Sequence, residues 1–216
     1  MRAFTFENAT KIYFGGGCVK EHLLEAVKPY GETVMLAYGG GSIKTNGIYQ
    51  EVMDVLKLAG KQVIEFSGIM PNPTYSKVME GKKVVQENQV DLILAVGGGS
   101  VMDCSKAISM AAATDKDVWE EYWIKKGEID FEPVPVGVIV TVVGTGSEVN
   151  GEGVITHEEQ KIKTSRNYPR CNPVFAMMDP KYTYTVSPLQ TAAGGFDTLS
   201  HVMETYFSAP DEDNLS

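Results

Sequence analysis

No apolar run in the sequence approaches the ~20 residues that a bilayer-spanning helix needs. The start, Met1 to Tyr13, is polar and mixed in charge and lacks the apolar stretch of a secretory signal. Cysteine is scarce: Cys18, Cys104 and Cys171 lie far apart and are odd in number. That pattern excludes a disulfide framework and a cysteine-based metal site, and it predicts a cytoplasmic protein without a membrane partner. Basic charge is also short, with 19 Lys and Arg against 28 Asp and Glu and a net charge of -9. No basic footprint offsets phosphate repulsion, so a nucleic-acid partner is not expected. Two nucleotide fingerprints are missing as well. The absence of G-x-G-x-x-G and of G-x-x-x-x-G-K-[ST] excludes an ordinary Rossmann site and a P-loop. What is present is ordinary for a globular chain of 216 residues, 43% hydrophobic and 22% charged, long enough to bury a substantial core.

Apolar runs alternate with amphipathic stretches through about residue 183. Strands are predicted at Thr33–Tyr38, Gln62–Phe66, Asp91–Val96, Val136–Val142 and Val174–Met178. Helical spacing is read over Thr45–Ala59, Tyr75–Glu87 and Val101–Ala113. The near-continuous apolar character of the strands suits a parallel sheet covered on both faces. Val154–Thr156 and Lys161–Ser165, separated by a polar turn, read as a β-hairpin. Ser187-Pro188 places an N-cap before a proline at the first helical position, where a new helical region begins. The predicted fold class is α/β: a doubly wound, mostly parallel sheet with a β-hairpin insertion, then the first helices of a truncated all-α domain. The expected division is 1–183 for a dinucleotide-binding domain and 184–216 for the start of a helical one.

The sharpest local signal is DLILAVGGGSVMDCSKA. A strand delivers glycines to the sheet edge, where bare backbone amides at a helix N-terminus can hold phosphate. Gly98, Gly99 and Ser100 are the candidate contacts, with Asp103 on the first helical turn. The alternative is a tight turn whose glycines permit only helix–sheet packing. A second turn, YGGGSIK, offers Gly40, Gly41, Ser42 and Lys44 at a strand end where NAD-specific enzymes often carry an acid. The missing acid favours NADP(H) over NAD(H). The loop TVVGTGSE supplies the hydroxyls of Thr141 and Thr145 for a ligand. Asp197 and His201 stand at i and i+4, where one helix face can present both to a divalent cation, Fe(II) or Zn(II) for a mixed O/N pair. An Asp–His hydrogen bond on an exposed helix face is the other reading of that pair, and two ligands are fewer than a catalytic site requires.

In order along the chain, YGGGSIK, PNP at 71–73, GGGSVMDCSKA, TVVGTGSE, DP at 179–180 and GGFDTLSHVMETYFS resemble the iron-containing (group III) alcohol dehydrogenase family, in its butanol dehydrogenase-like branch. The resemblance implies an α/β domain that binds the nicotinamide cofactor and a helical domain that holds the metal. It matches Asp197 and His201 to metal ligands and Gly98, Gly99 and Ser100 to the pyrophosphate loop. It also matches Asp103, Asn72, Thr141, Thr145 and Lys163 to further cofactor contacts, and Gly40, Gly41 and Ser42 to a 2′-phosphate site. It implies an alcohol or aldehyde substrate, a homodimer in the full-length form, and further histidine ligands downstream, so that the 216 residues are expected to be a fragment. Two rival expectations are a non-catalytic nucleotide-binding module and a glycerol dehydrogenase-like or dehydroquinate synthase-like enzyme.

Overall fold

A computed structural model describes residues 5 and 7–208. β1 (Lys11–Phe14), a strand too short to stand out in the sequence, leads into α1 (Cys18–Val27). β2 (Thr33–Tyr38) follows where it was predicted. The single helix expected over Thr45–Ala59 is two, α2 (Ser42–Thr45) and α3 (Ile48–Leu58). The break falls at Gly47, whose φ of 85° lies in the left-handed region that a side chain disfavours. β3 (Gln62–Phe66), α4 (Tyr75–Asn88), β4 (Leu92–Gly97) and α5 (Gly99–Ala112) continue the β–α alternation. A π-helical turn at Trp119–Ile124, unforeseen in the sequence, buries Trp119 and Tyr122.

β5 (Val136–Val140) ends two residues earlier than expected, its last bond to β4 running from the Thr141 amide to the Gly97 carbonyl. β6 (Glu152–His157) and β7 (Ile162–Asn167) form the hairpin as a separate antiparallel pair. β8 (Phe175–Met178) completes the sheet, and α6 (Pro188–Ser208) follows. Ser187 caps that helix as expected, its hydroxyl accepting from the Gln190 amide at 3.3 Å.

The six strands order as β1-β8-β5-β4-β2-β3, all neighbours parallel. The two-residue period of a strand sorts their side chains onto two apolar layers. Met35, Ala37, Ile93 and Ala95 face α4 and α5, while Val34, Leu36, Leu92 and Leu94 face α1 and α3. Covered on both faces, the sheet is the doubly wound α/β layer that the sequence pattern implied. Such a sheet leaves one place for a ligand, the crevice at the carboxyl ends of its strands. Among the described residues no helix is long and apolar enough to cross a membrane.

Candidate functional site: a cleft at the carboxyl edge of the sheet

β2, β4 and β5 end side by side, and the loops that leave them line one cavity of about 390 Å³. Gly40, Gly41 and Ser42 come from the first loop, Gly98, Gly99 and Ser100 from the second, and Thr141 from the third. The volume falls in the range of small-molecule sites. None of the glycines from Gly97 to Gly99 has a left-handed backbone. Close approach explains them instead. A Cβ on Gly97 would stand 2.5 Å from a Val101 methyl, and one on Gly99 would stand 2.8 Å from the Thr145 hydroxyl. Packing alone therefore accounts for glycine here, as the plainer reading of the turn held. What the turn leaves open points to a ligand. The Val101 and Met102 amides donate to the Gly98 carbonyl at 3.0 and 3.2 Å, which leaves the Gly99 and Ser100 amides of the first turn of α5 without an acceptor in the helix. The Ser42, Ser100 and Thr141 hydroxyls have no hydrogen-bond partner among the described residues, although all three line the cavity. That cluster of donors at a helix N-terminus suits an anion.

The second turn is less cationic than its sequence implied. Lys44 donates to the Glu65 carboxylate at 2.9 Å and lies over the Tyr38 and Tyr49 rings. Glu65 also accepts from both tyrosine hydroxyls, and those bonds with Lys44 draw its carboxyl down to about 2. Lys44 is raised in turn by Tyr38 and Glu65. The lysine charge is engaged beside the cleft rather than free within it.

Asp103 departs from its expected role. Its side chain is buried and faces the hairpin: Oδ1 accepts from the Ser147 hydroxyl at 2.6 Å and Oδ2 from the Val154 amide at 3.2 Å. As the fifth residue of α5, Asp103 points to the flank of that helix, not along its axis to the cleft, and its oxygens are taken. Burial pushes the carboxyl up against the pull of Ser147. Beside it stands Lys106, which the sequence gave no reason to select beyond being a lysine in a small, apolar helix. Burial pulls its ammonium down to about 8, with Asp103 and Cys171 acting the other way. Thr145 accepts from the Ser147 amide at 3.3 Å and so shapes its own loop while touching Gly99.

The hairpin brings two distant candidates together. Lys163 Nζ donates to Asn72 Oδ1 at 2.6 Å. The turn carrying Asn72 is tied to β6 through the Thr156 amide, which donates to the Pro73 carbonyl at 2.9 Å. Asn72 has φ of 54°, a left-handed conformation that Asn tolerates better than most side chains.

α6 approaches the third loop through glycines. A Cβ on Gly194 would fall 2.6 Å from the Val143 carbonyl oxygen, and the Thr198 hydroxyl, 2.9 Å from the Gly194 carbonyl, also lies 3.4 Å from that of Gly144. That contact sets Asp197 beside Gly99, Thr145 and Gln190 in an adjoining cavity of about 340 Å³. Gln190 lines both cavities and carried no sequence signal. Asp197 Oδ1 and His201 Nε2 are 3.7 Å apart, too far for a hydrogen bond and close enough for one cation between them. Among the described residues no third His, Cys, Asp or Glu joins the pair in a metal-holding group.

The sequence model for iron-containing alcohol dehydrogenases matches residues 9–180. The chain belongs to the iron-containing alcohol dehydrogenase family. Its similarity extends to a probable NADH-dependent butanol dehydrogenase of Bacillus subtilis, 44% identical across 96% of this chain and 53% of that protein. The NADPH-dependent aldehyde reductase of Escherichia coli is 38% identical across 97% of this chain and 54% of its own length. Among solved structures, the NADH-dependent butanol dehydrogenase A of Thermotoga maritima superposes with a TM-score of 0.89 at 38% identity, over 96% of this chain and 52% of that one. The chain thus spans about half the length of the relatives it matches. The family's description names iron, and these relatives are named for NADH or NADPH.

Proposed function

We propose that the cleft binds the nicotinamide dinucleotide of a metal-dependent oxidoreductase that moves a hydride between NADP(H) and a small alcohol or aldehyde. One observation carries this reading: the two glycine turns, the Thr141–Thr145 loop and Asp197 line two adjoining cavities that share Gly99, Val142 and Gln190. The α5 amides and the Ser100 hydroxyl hold the pyrophosphate, with Thr141 beside it. Lys163, bonded to Asn72 next to the cavity-lining Pro71, would reach in to the ribose and screen the phosphate charge. Gly40, Gly41 and Ser42 border the adenosine end, where no carboxylate lines the cavity. A neutral border accepts a 2′-hydroxyl and a 2′-phosphate alike. With Lys44 held by Glu65, the preference for NADP(H) is modest, which accords with relatives named for either cofactor.

Asp197 and His201 fit half of a divalent-cation site, because their oxygen and nitrogen donors share one helix face at a bridgeable spacing. A bound Fe(II) or Zn(II) would act as a Lewis acid on the substrate oxygen while the cofactor carried the hydride. The chain's own part is positioning. Asp197 lies beside Gly99 and Thr145, so whatever it holds is held against the dinucleotide. The pair needs further donors to reach the three protein ligands of a catalytic site. Residues 184–216 are accordingly read as part of a second, metal-holding unit. A homodimer is expected through the edge of β1, which has no further strand beside it among the described residues and where Ile12 and Phe14 are exposed.

The absence of a third ligand among the described residues favours one alternative, a nucleotide-binding module without turnover. Fluorescence titration of the 216-residue chain with NADPH and NADH, alongside metal analysis and an aldehyde-reduction assay, separates the two. Saturable binding of both cofactors, with metal retained only when the other ligands are supplied, supports the oxidoreductase. No saturable binding of either cofactor overturns it. Binding that never yields turnover in an assembly with all ligands present favours the module.

A further inference from the structure

Lys106 lies on α5 and is 2% exposed, yet its three ammonium hydrogens all find acceptors. Nζ donates to Ser147 Oγ at 2.8 Å, Asn150 Oδ1 at 3.2 Å and the Glu152 carbonyl at 2.9 Å. The Ser147 hydroxyl passes the contact to Asp103, which in turn accepts from the Val154 amide. One buried ammonium and one buried carboxylate, linked by a hydroxyl, thus fasten the third loop and the first hairpin strand to the flank of a single helix. The same helix begins with Gly99 and Ser100. A buried charge network is seldom the most stable filling of such a space, since apolar residues of equal volume often do as well or better. What it supplies is register between α5 and a loop-and-strand stretch that lies 41 to 51 residues downstream.

We propose that Lys106 is a positioning residue for the cofactor, holding the Thr141–Thr145 loop and the Lys163 hairpin at a fixed distance from the amide cradle of α5. The proposal rests on the cofactor reading of the cleft. A purely structural lysine would support the fold without setting the geometry of the ligand site.

The test compares the chain with its Lys106→Met variant by NADPH fluorescence titration, amide hydrogen exchange and thermal melting. The expected result is an NADPH dissociation constant raised about tenfold or more. Amides from 141 to 154 should exchange faster while those of β2 and β4 keep their protection. Affinity within about twofold of the parent overturns the proposal, as does faster exchange throughout the chain with affinity unchanged. If Lys106→Met does not fold, Asn150→Ala removes one acceptor from a half-buried position and should weaken NADPH about threefold. No weakening there also overturns the proposal. A parent chain that binds no NADPH overturns the cofactor reading, and the proposal with it. A parent that binds, matched by a variant that binds equally, overturns the proposal alone.

Discussion

Lys163 Nζ donates to Asn72 Oδ1 at 2.6 Å across 91 residues of sequence, joining the hairpin to the turn that follows β3. The bond fixes an exposed lysine that would otherwise sample many rotamers, and ordering it beforehand lowers the entropic cost of meeting a phosphate or ribose. Lys163→Ala should weaken NADPH by about tenfold, or about 1.4 kcal/mol, with little change in melting temperature. Asn72→Gly should keep the left-handed turn, lose the bond and fall between the parent and Lys163→Ala. Isothermal titration of the three proteins checks the order.

Gly99 stands so close to Thr145 that a methyl group there would meet Oγ1 at 2.8 Å and Cγ2 at 2.9 Å. Gly99→Ala should displace the Thr145 side chain and cost about 1 to 3 kcal/mol in overpacking. The cofactor affinity should fall by about an order of magnitude, since the same shift moves the cradle. Thermal melts and NADPH titration of the variant measure the two effects separately.

Much of this site was legible in the sequence because each half of it is local. The strand–glycine–helix pattern of residues 91–113 announced both the turn and the exposed amides, and Ser187-Pro188 marked the start of α6 to the residue. Relations between segments were not legible. Asp103 looked like a ligand contact because it sits one turn into the helix, and only the fold revealed Ser147 and Val154 on its other side. Lys44 looked like a free cation because its partner, Glu65, lies 21 residues away on a neighbouring strand. Lys106 was silent for the same reason: a lysine among small residues states nothing until the loop that covers it is in place. β1 was missed because four residues pairing with β8, 164 positions downstream, carry no periodicity of their own.

Glu65 holds Lys44 beside the adenosine end of the cleft, so the carboxylate bears on cofactor choice. Removing its charge should release the lysine toward a 2′-phosphate while leaving the tyrosine hydroxyls a partner. Glu65→Gln is expected to raise the ratio of NADPH to NADH affinity by about threefold, a modest change because the pair is half exposed and screened. Parallel titrations with the two cofactors give the ratio, and an unchanged or lowered value contradicts the role assigned to Glu65.

Burial sets the Lys106 ammonium at about 8, below its ordinary value of 10.5. Between those values the unfolded chain binds more protons at this site than the folded one, so the contribution to stability rises with pH. Below about pH 8 both states are protonated, and the cost of burying the charge is present in full. The unfolding free energy of the parent relative to Lys106→Met should therefore increase from about pH 8 to about pH 10. Urea denaturation at both pH values measures it, and a flat or falling difference contradicts the assignment.

The central claim is that the α5 N-terminus cradles the pyrophosphate of a nicotinamide dinucleotide. Backbone amide chemical shifts recorded during a titration with NADPH test it most directly. The account predicts saturable shifts at Gly98, Gly99 and Ser100, accompanied by shifts from Gly40 to Ser42. Shifts that leave Gly98 to Ser100 untouched, or that gather on a face away from the carboxyl edge of the sheet, would contradict it.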